Sequence, residues 1–172
     1  TAKSWKAVRT KNKASKTIIR LHCPVEASVS LNGFILDSEY GPFDRSFGSV
    51  ERIDDGIVFT LDYSEDYVLD IRGTGVGTMD VEIEYRNETD ESFGKKNFEK
   101  MPITPDTTVT SLSLVMEDTT VLCASDGENK AAWWGANFDE PAVEPEELFS
   151  NSNVTEPAGE TAEDDTPSQD YN

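Results

Sequence analysis

The stretch YVLDIRGTGVGTMDVEIEY, Tyr67 to Tyr85, decides the fold. In its first half Tyr67, Leu69 and Ile71 fall on one face of an extended strand, with Val68, Asp70 and Arg72 on the other. In its second half Met79, Val81, Ile83 and Tyr85 alternate with Asp80, Glu82, Glu84 and Arg86. Each half is therefore a strand with one buried face. Gly73, Gly75 and Gly77 supply backbone freedom between them, and the whole reads as an antiparallel hairpin at the centre of an all-β domain.

Working outward, the same period of two recurs. Thr17 to Cys23 reads as a first strand. Val25, Ala27, Val29 and Leu31 read as a second, separated from it by Pro24, which has no N–H to give a ladder. Asn32-Gly33 is a two-residue hairpin signal that sets Phe34 opposite Leu31 and places Phe34 and Leu36 on the core face. A long connection from Asp37 to Gly56 holds Tyr40, Phe43, Phe47 and Val50, and Ile57, Phe59 and Leu61 form the next strand. After a polar turn at Asn87 to Glu91, Phe93 to Met101 is a further strand. Leu112, Leu114 and Met116 mark the inward positions of another, and Thr120 to Cys123 is set to pair with it. About eight short strands without a helix predict an immunoglobulin-like antiparallel β-sandwich over residues 17–127, with an open barrel as the alternative.

Charge divides the chain. The net charge is -19. Residues 1–20 hold seven Lys or Arg and no acid, whereas residues 139–172 hold eleven acids and no base. Residues 1–16 read as a basic linker and 128–172 as a Trp-containing segment followed by an acidic disordered tail, whose few large apolar residues cannot offset the entropy of ordering. So acidic a chain repels a polyanion, so no nucleic-acid partner is expected. No apolar run of membrane-spanning length and no signal-peptide core is present, so no membrane span is expected. The first residue, Thr1, suggests a fragment or processed product.

The chemistry-bearing residues are few. With two cysteines and one histidine the chain cannot build a zinc site without carboxylates. Cys23 and Cys123 form either one disulfide or two buried thiols. His22 and Cys23, as strand neighbours, point to opposite faces and cannot share a proton, which leaves His22 with Cys123 as the remaining dyad. Gly73-Thr74-Gly75-Val76-Gly77 is followed by a strand, not by the helix a phosphate loop needs. Paired carboxylates carry no information in a chain with 34 acids. No organic cofactor is implied. Calcium is the ion that oxygen-rich loops favour, with Asp54, Asp55, Asp62 and Asp66 as candidate ligands, against the alternative of solvated turns. Trp133 and Trp134, with Tyr40 and Phe43, are the aromatics available for a ligand platform, against the alternative that the tryptophans cap the sandwich edge or dock on a neighbouring domain.

Cys23-Pro24-Val25, Tyr67-Val68-Leu69-Asp70-Ile71, Gly77-Thr78-Met79-Asp80-Val81, Asn97-Phe98 and Met101-Pro102-Ile103-Thr104 together resemble an accessory β-module found near the carboxyl end of large extracellular and cell-surface proteins of Firmicutes. The likeness covers about Ile18 to Met116, and departs from the module in Val81, where an aromatic is common, and in the aromatic-rich connection from Asp37 to Gly56. It implies a secreted, noncatalytic sandwich that serves as spacer, stabiliser or docking surface for a neighbouring domain of the same parent chain. The alternative expectation is a carbohydrate- or host-protein-binding module using the exposed aromatics, with a small enzyme or pilin-like subunit third.

Overall fold

The computed structural model describes residues 14–40, 43–127 and 131–139. Of the basic linker expected over residues 1–16, residues 1–13 lie outside the described residues, as does the acidic tail from residue 140, whereas Ala14 is buried and Lys16 already belongs to a strand. Twelve strands follow one another: β1 (Lys16–His22), β2 (Val25–Leu31), β3 (Phe34–Asp37), β4 (Phe43–Arg45), β5 (Gly48–Ile53), β6 (Gly56–Asp62), β7 (Val68–Gly73), β8 (Gly77–Arg86), β9 (Ser92–Ile103), β10 (Thr108–Leu112), β11 (Thr120–Ser125) and β12 (Ala131–Ala136), with one 3-10 turn at Ser38–Tyr40. They form two six-stranded antiparallel sheets, ordered β4-β5-β6-β1-β8-β9 and β12-β11-β10-β7-β2-β3. Inward residues of both sheets share one apolar core, the arrangement of a β-sandwich.

The alternation in Tyr67 to Tyr85 holds: Leu69, Ile71, Met79, Val81, Ile83 and Tyr85 are buried. The hairpin does not. β7 pairs with β2 and β10 in the second sheet, whereas β8 pairs with β1 and β9 in the first, so residues 74–76 cross between layers. Two other connections cross at the same end: Cys23-Pro24 carries β1 to β2, and residues 104–107 carry β9 to β10. Since β1, β8 and β9 are neighbours in one sheet and β2, β7 and β10 in the other, the three crossings stack. Thr74 N–H donates to the Pro24 carbonyl (3.0 Å) and Gly73 N–H to the Thr107 carbonyl (2.9 Å). Alternation reports which side chains face the core and is silent on which strand is the neighbour, so a hairpin and a crossing leave the same pattern.

Four further readings change. The connection from Asp37 to Gly56 is largely strand: β4 and β5 extend the first sheet, and β5 turns into β6 over Asp54-Asp55, Asp54 taking a φ of 57°. Phe34 is 57% exposed, because the β2–β3 hairpin tip projects past the core; Leu36 is buried and the Arg45 guanidinium covers the Phe34 ring at 5.5 Å. β10 buries Val109 and Ser111 and turns Leu112 outward; Ser113 then adopts a φ of 59°, which ends the strand and resets the phase so that Leu114 is buried. Lastly, the sandwich extends past residue 127, since β12 pairs with β11 in unbroken register.

The fold is entered and left at one end. Ser15 N–H donates to the Arg86 carbonyl (2.8 Å), and Asp139 N–H donates to the Lys95 carbonyl (2.8 Å) on the far side of β9.

The crossings set a prediction. A Cβ on Gly73 would overlap the Thr104 carbonyl oxygen and come within 2.7 Å of Ile103 Cγ2, whereas one on Gly75 meets Pro24 Cβ at 3.4 Å. Gly73→Ala is expected to lower stability by about 3 kcal/mol and Gly75→Ala by less than about 1, measured by urea denaturation. Equal losses would show that the stacked crossings are not tightly packed.

Candidate functional site: the outer faces of the two sheets

The most buried charged group among the described residues is Lys96. It stands opposite Ile83 and shares that residue's inward side, so its ammonium enters the space between the layers, fully buried. It donates to the carbonyls of Val115 (2.7 Å) and Asp118 (2.8 Å) and to Thr120 Oγ1 (2.9 Å), and lies 5.2 Å from the centroid of the Tyr85 ring. Burial pushes its pKa down to about 8, against the pull of Asp118 and Glu117. The Tyr85 hydroxyl donates to the Leu114 carbonyl (2.8 Å), and the Tyr63 hydroxyl accepts from Met116 N–H (3.3 Å). Burial raises both phenols. Lys96 spends its three protons on three acceptors, so the cluster's work is to tie the connection at residues 113–119 to the core. The strand expected over Phe93 to Met101 carries no mark in KKNFEK that one of its lysines is buried.

The outer face of the first sheet carries charge. Arg20 bonds Glu82 (2.6 Å) and Glu84 (3.0 Å), Lys95 reaches Glu82 (3.5 Å), Arg86 bridges Glu84 (3.2 Å) and Asp90 (3.4 Å), and Lys16 reaches Asp90 (3.4 Å). Burial alone would raise the Glu84 carboxyl, but hydrogen bonds from Arg86, Ser92 and Arg20 outweigh it and hold it at about 2.

The outer face of the second sheet differs. One cross-strand row runs through all six strands as Trp133, Cys123, Thr110, Asp70, Ser28 and Asp37, with Thr110 Oγ1 donating to Asp70 (2.8 Å). The row beside it holds Val121 opposite Leu112 and, continuing the β10–β7 register, Val68 followed by Ser30 and Ile35. Leu112 (53%), Ile35 and Val68 are exposed. Charge gathers to one side, where Arg72 bonds Asp37 (3.0 Å) and Glu39 (2.7 Å) and Arg52 pairs with Glu26. One sandwich face thus meets water through ion pairs, and the other presents an uncharged apolar row bordered by an indole, the composition of an interaction surface.

The residues singled out from sequence are not gathered into one site. Strand alternation sends Trp133 outward, half-exposed, and Trp134 inward, 8% exposed and part of the core. The two tryptophans are therefore not one platform. Tyr40, exposed on the 3-10 turn after β3, lies across the full width of the second sheet from Trp133, about 24 Å at the usual strand spacing. The backbone of Phe43 lies in β4, at an edge of the other sheet. Asp54 and Asp55 sit at one end of β6 and Asp62 and Asp66 at the other, about 20 Å apart for a seven-residue strand. These four therefore form no common ligand set, and among the described residues no group of three or more His, Cys, Asp and Glu could hold a metal. The expected disulfide is not formed: both thiols are free. Cys23 is exposed at the end of β1 in the first sheet, and Cys123 points away from the core on the second, with the sandwich interior between them; the same separation sets His22 apart from Cys123. Among the described residues no helix is long and apolar enough to cross a membrane.

Two measurements follow from these clusters. Lys96→Met takes the donor from two part-buried carbonyls and from the buried Thr120 hydroxyl and should cost about 2 to 4 kcal/mol in denaturant unfolding, and a loss below about 0.5 would show that the connection holds itself. Glu84 ionises near pH 2 when folded and near 4.5 when unfolded, so its contribution is complete above pH 4.5 and fades as the pH falls toward 2. Glu84→Gln is expected to lose about 2 to 3 kcal/mol at pH 7 and to converge with the wild type near pH 2, and a constant gap across acid titration would contradict this.

Comparison with protein-family models, with curated proteins and with solved structures finds no match to this chain.

Proposed function

We propose that this chain is a noncatalytic, immunoglobulin-like accessory module of a larger bacterial extracellular or cell-surface protein, and that it docks on a neighbouring domain of its parent through the outer face of the second sheet. The observation that carries the docking role is the uncharged row of Val121, Leu112, Val68 and Ile35 on that face, set against the ion-paired face of the first sheet. An apolar row left in water costs free energy that a covering surface recovers. The extracellular setting is supported by the resemblance carried by Cys23-Pro24-Val25 and Gly77-Thr78-Met79-Asp80.

A second reading, glycan binding, is favoured by one observation: the exposed Trp133 ring shares its row with the Thr110–Asp70 hydroxyl–carboxylate pair, an apolar plane beside hydrogen-bonding groups.

Thermal melting of the module alone and within a longer stretch of its parent tests the first. The neighbour is expected to raise the midpoint by about 5 °C. Leu112→Thr with Val68→Thr, which keeps strand propensity, should remove that increment and leave the isolated module within about 1 °C of its own midpoint. An increment that survives the double substitution refutes docking through this face. A tryptophan fluorescence shift on glycan addition that Trp133→Ala abolishes would select the second reading.

A further inference from the structure

Four asparagines stand among the described residues, at positions 32, 87, 97 and 137, and their surroundings differ in one chemical respect. An asparagine side chain loses ammonia when the amide nitrogen of the next residue closes on its Cγ. That attack needs an unhindered next residue, for which glycine is best because it has no Cβ, and a side-chain amide free to turn. Asn87 Oδ1 accepts from Thr89 N–H (2.9 Å), Thr89 Oγ1 (2.7 Å) and Glu91 N–H (3.0 Å), and Glu88 follows it. Asn97 lies within β9 opposite Glu82 and precedes the buried Phe98. Asn137 Oδ1 accepts from Thr119 Oγ1, and Phe138 follows it. Each is held by hydrogen bonds or by the ladder, and each has a bulky residue beside it.

Asn32 has neither restraint. With Gly33 it forms the exposed two-residue turn between β2 and β3, at φ values of 52° and 87°. Its side-chain amide makes no hydrogen bond to a described residue. A Cβ built on Gly33 would meet no atom within 4 Å, so the space around the attacking nitrogen is open. The turn must leave its left-handed geometry for the ring to close. Because the tip projects past the core, that movement disturbs little more than the Leu31–Phe34 pair and the Arg45 guanidinium over the Phe34 ring.

We infer that Asn32 is a site of spontaneous deamidation, with water as the only co-reactant, and that its isoaspartyl product releases one end of β3. The Gly33 nitrogen forms a bond to Asn32 Cγ, and the side-chain nitrogen leaves as ammonia with the Gly33 amide proton, which gives a cyclic imide. Water then opens the imide. Cleavage at Cγ gives aspartate, and cleavage at the main-chain carbonyl gives isoaspartate. The isoaspartyl form carries one more main-chain atom, the former Cβ, which a two-residue turn cannot absorb without losing its closing pair. The far end of β3 stays held: Ser38 Oγ accepts from Ala27 N–H (2.8 Å) and donates to Glu26 (2.6 Å), and Arg72 bonds Asp37 (3.0 Å). This chemistry is independent of the docking role proposed above.

The full chain is held for several weeks in mildly alkaline buffer and mapped by peptide mass spectrometry. The peptide holding Asn32 is expected to gain the mass of an amide turned to acid at least about tenfold faster than those holding Asn87, Asn97 or Asn137. Isomerisation at Asp55-Gly56 or Asp126-Gly127 leaves the mass unchanged, so the gain reports asparagine alone. Gly33→Ala should slow the gain at Asn32 by about tenfold, in buffer and equally in urea, where the result does not depend on the variant folding. In the separated isoaspartyl form, amide deuterium exchange at Leu31 and Phe34 should quicken by about tenfold or more while Leu36 stays protected. Equal rates at the four asparagines, or a gain indifferent to Gly33→Ala, overturns the deamidation site. Unchanged exchange at Leu31 and Phe34 overturns the release of β3.

Discussion

Three crossings stacked at one end of the sandwich hold the rest in place. The bonds from Thr74 to Pro24 and from Gly73 to Thr107 join consecutive crossings through backbone alone, so no side chain can weaken them without moving the chain. Once they are fixed, β1, β8 and β9 must lie side by side in one layer and β2, β7 and β10 in the other. The remaining strands extend those layers outward: β6, β5 and β4 on one side of the first, β11 and β12 on one side of the second, and β3 on the other. The absence of a Cβ at Gly73 is what lets two crossings approach to bonding distance.

The opposite end is held by different physics. There the connection at residues 113–119 has no partner strand, and its carbonyls would be stranded against the core if nothing reached them. Lys96 and Tyr85 supply those donors from below. Burying an ammonium is expensive, and three acceptors with an aromatic face return most of that expense. A buried lysine here is a fastener for backbone, comparable in effect to the backbone bonds at the crossings.

Alternation was legible wherever a strand buries one face, so the inward sets of β2, β6, β7 and β8 could be named from sequence. What lay beyond it was pairing. The Tyr67 to Tyr85 segment shows two correct strands and an incorrect partnership, because the decisive contacts come from Pro24 and Thr107, both distant in sequence. Leu112 was assigned inward since it shares a phase with Leu114, and the left-handed backbone at Ser113 that breaks that phase has no marker in a serine. The aromatic site dissolved for the opposite reason: the period of two, applied to Trp133 and Trp134, already places them on opposite faces. Lys96 was beyond reach, since a buried lysine and an exposed one are written alike.

The positions of Ser15 and Asp139 bear on mechanics. Ser15 bonds the β8 backbone from one side and Asp139 bonds the β9 backbone from the other, so about three strand spacings, roughly 14 Å, separate the places where the chain enters and leaves the described fold. Polypeptide continued from both points gains little reach from the sandwich between them. The sandwich hangs to the side of such a line, with the stacked crossings at its far tip. Tension along the line would act on the first residues of β1 and on the Asp139 clasp, and would bypass the core.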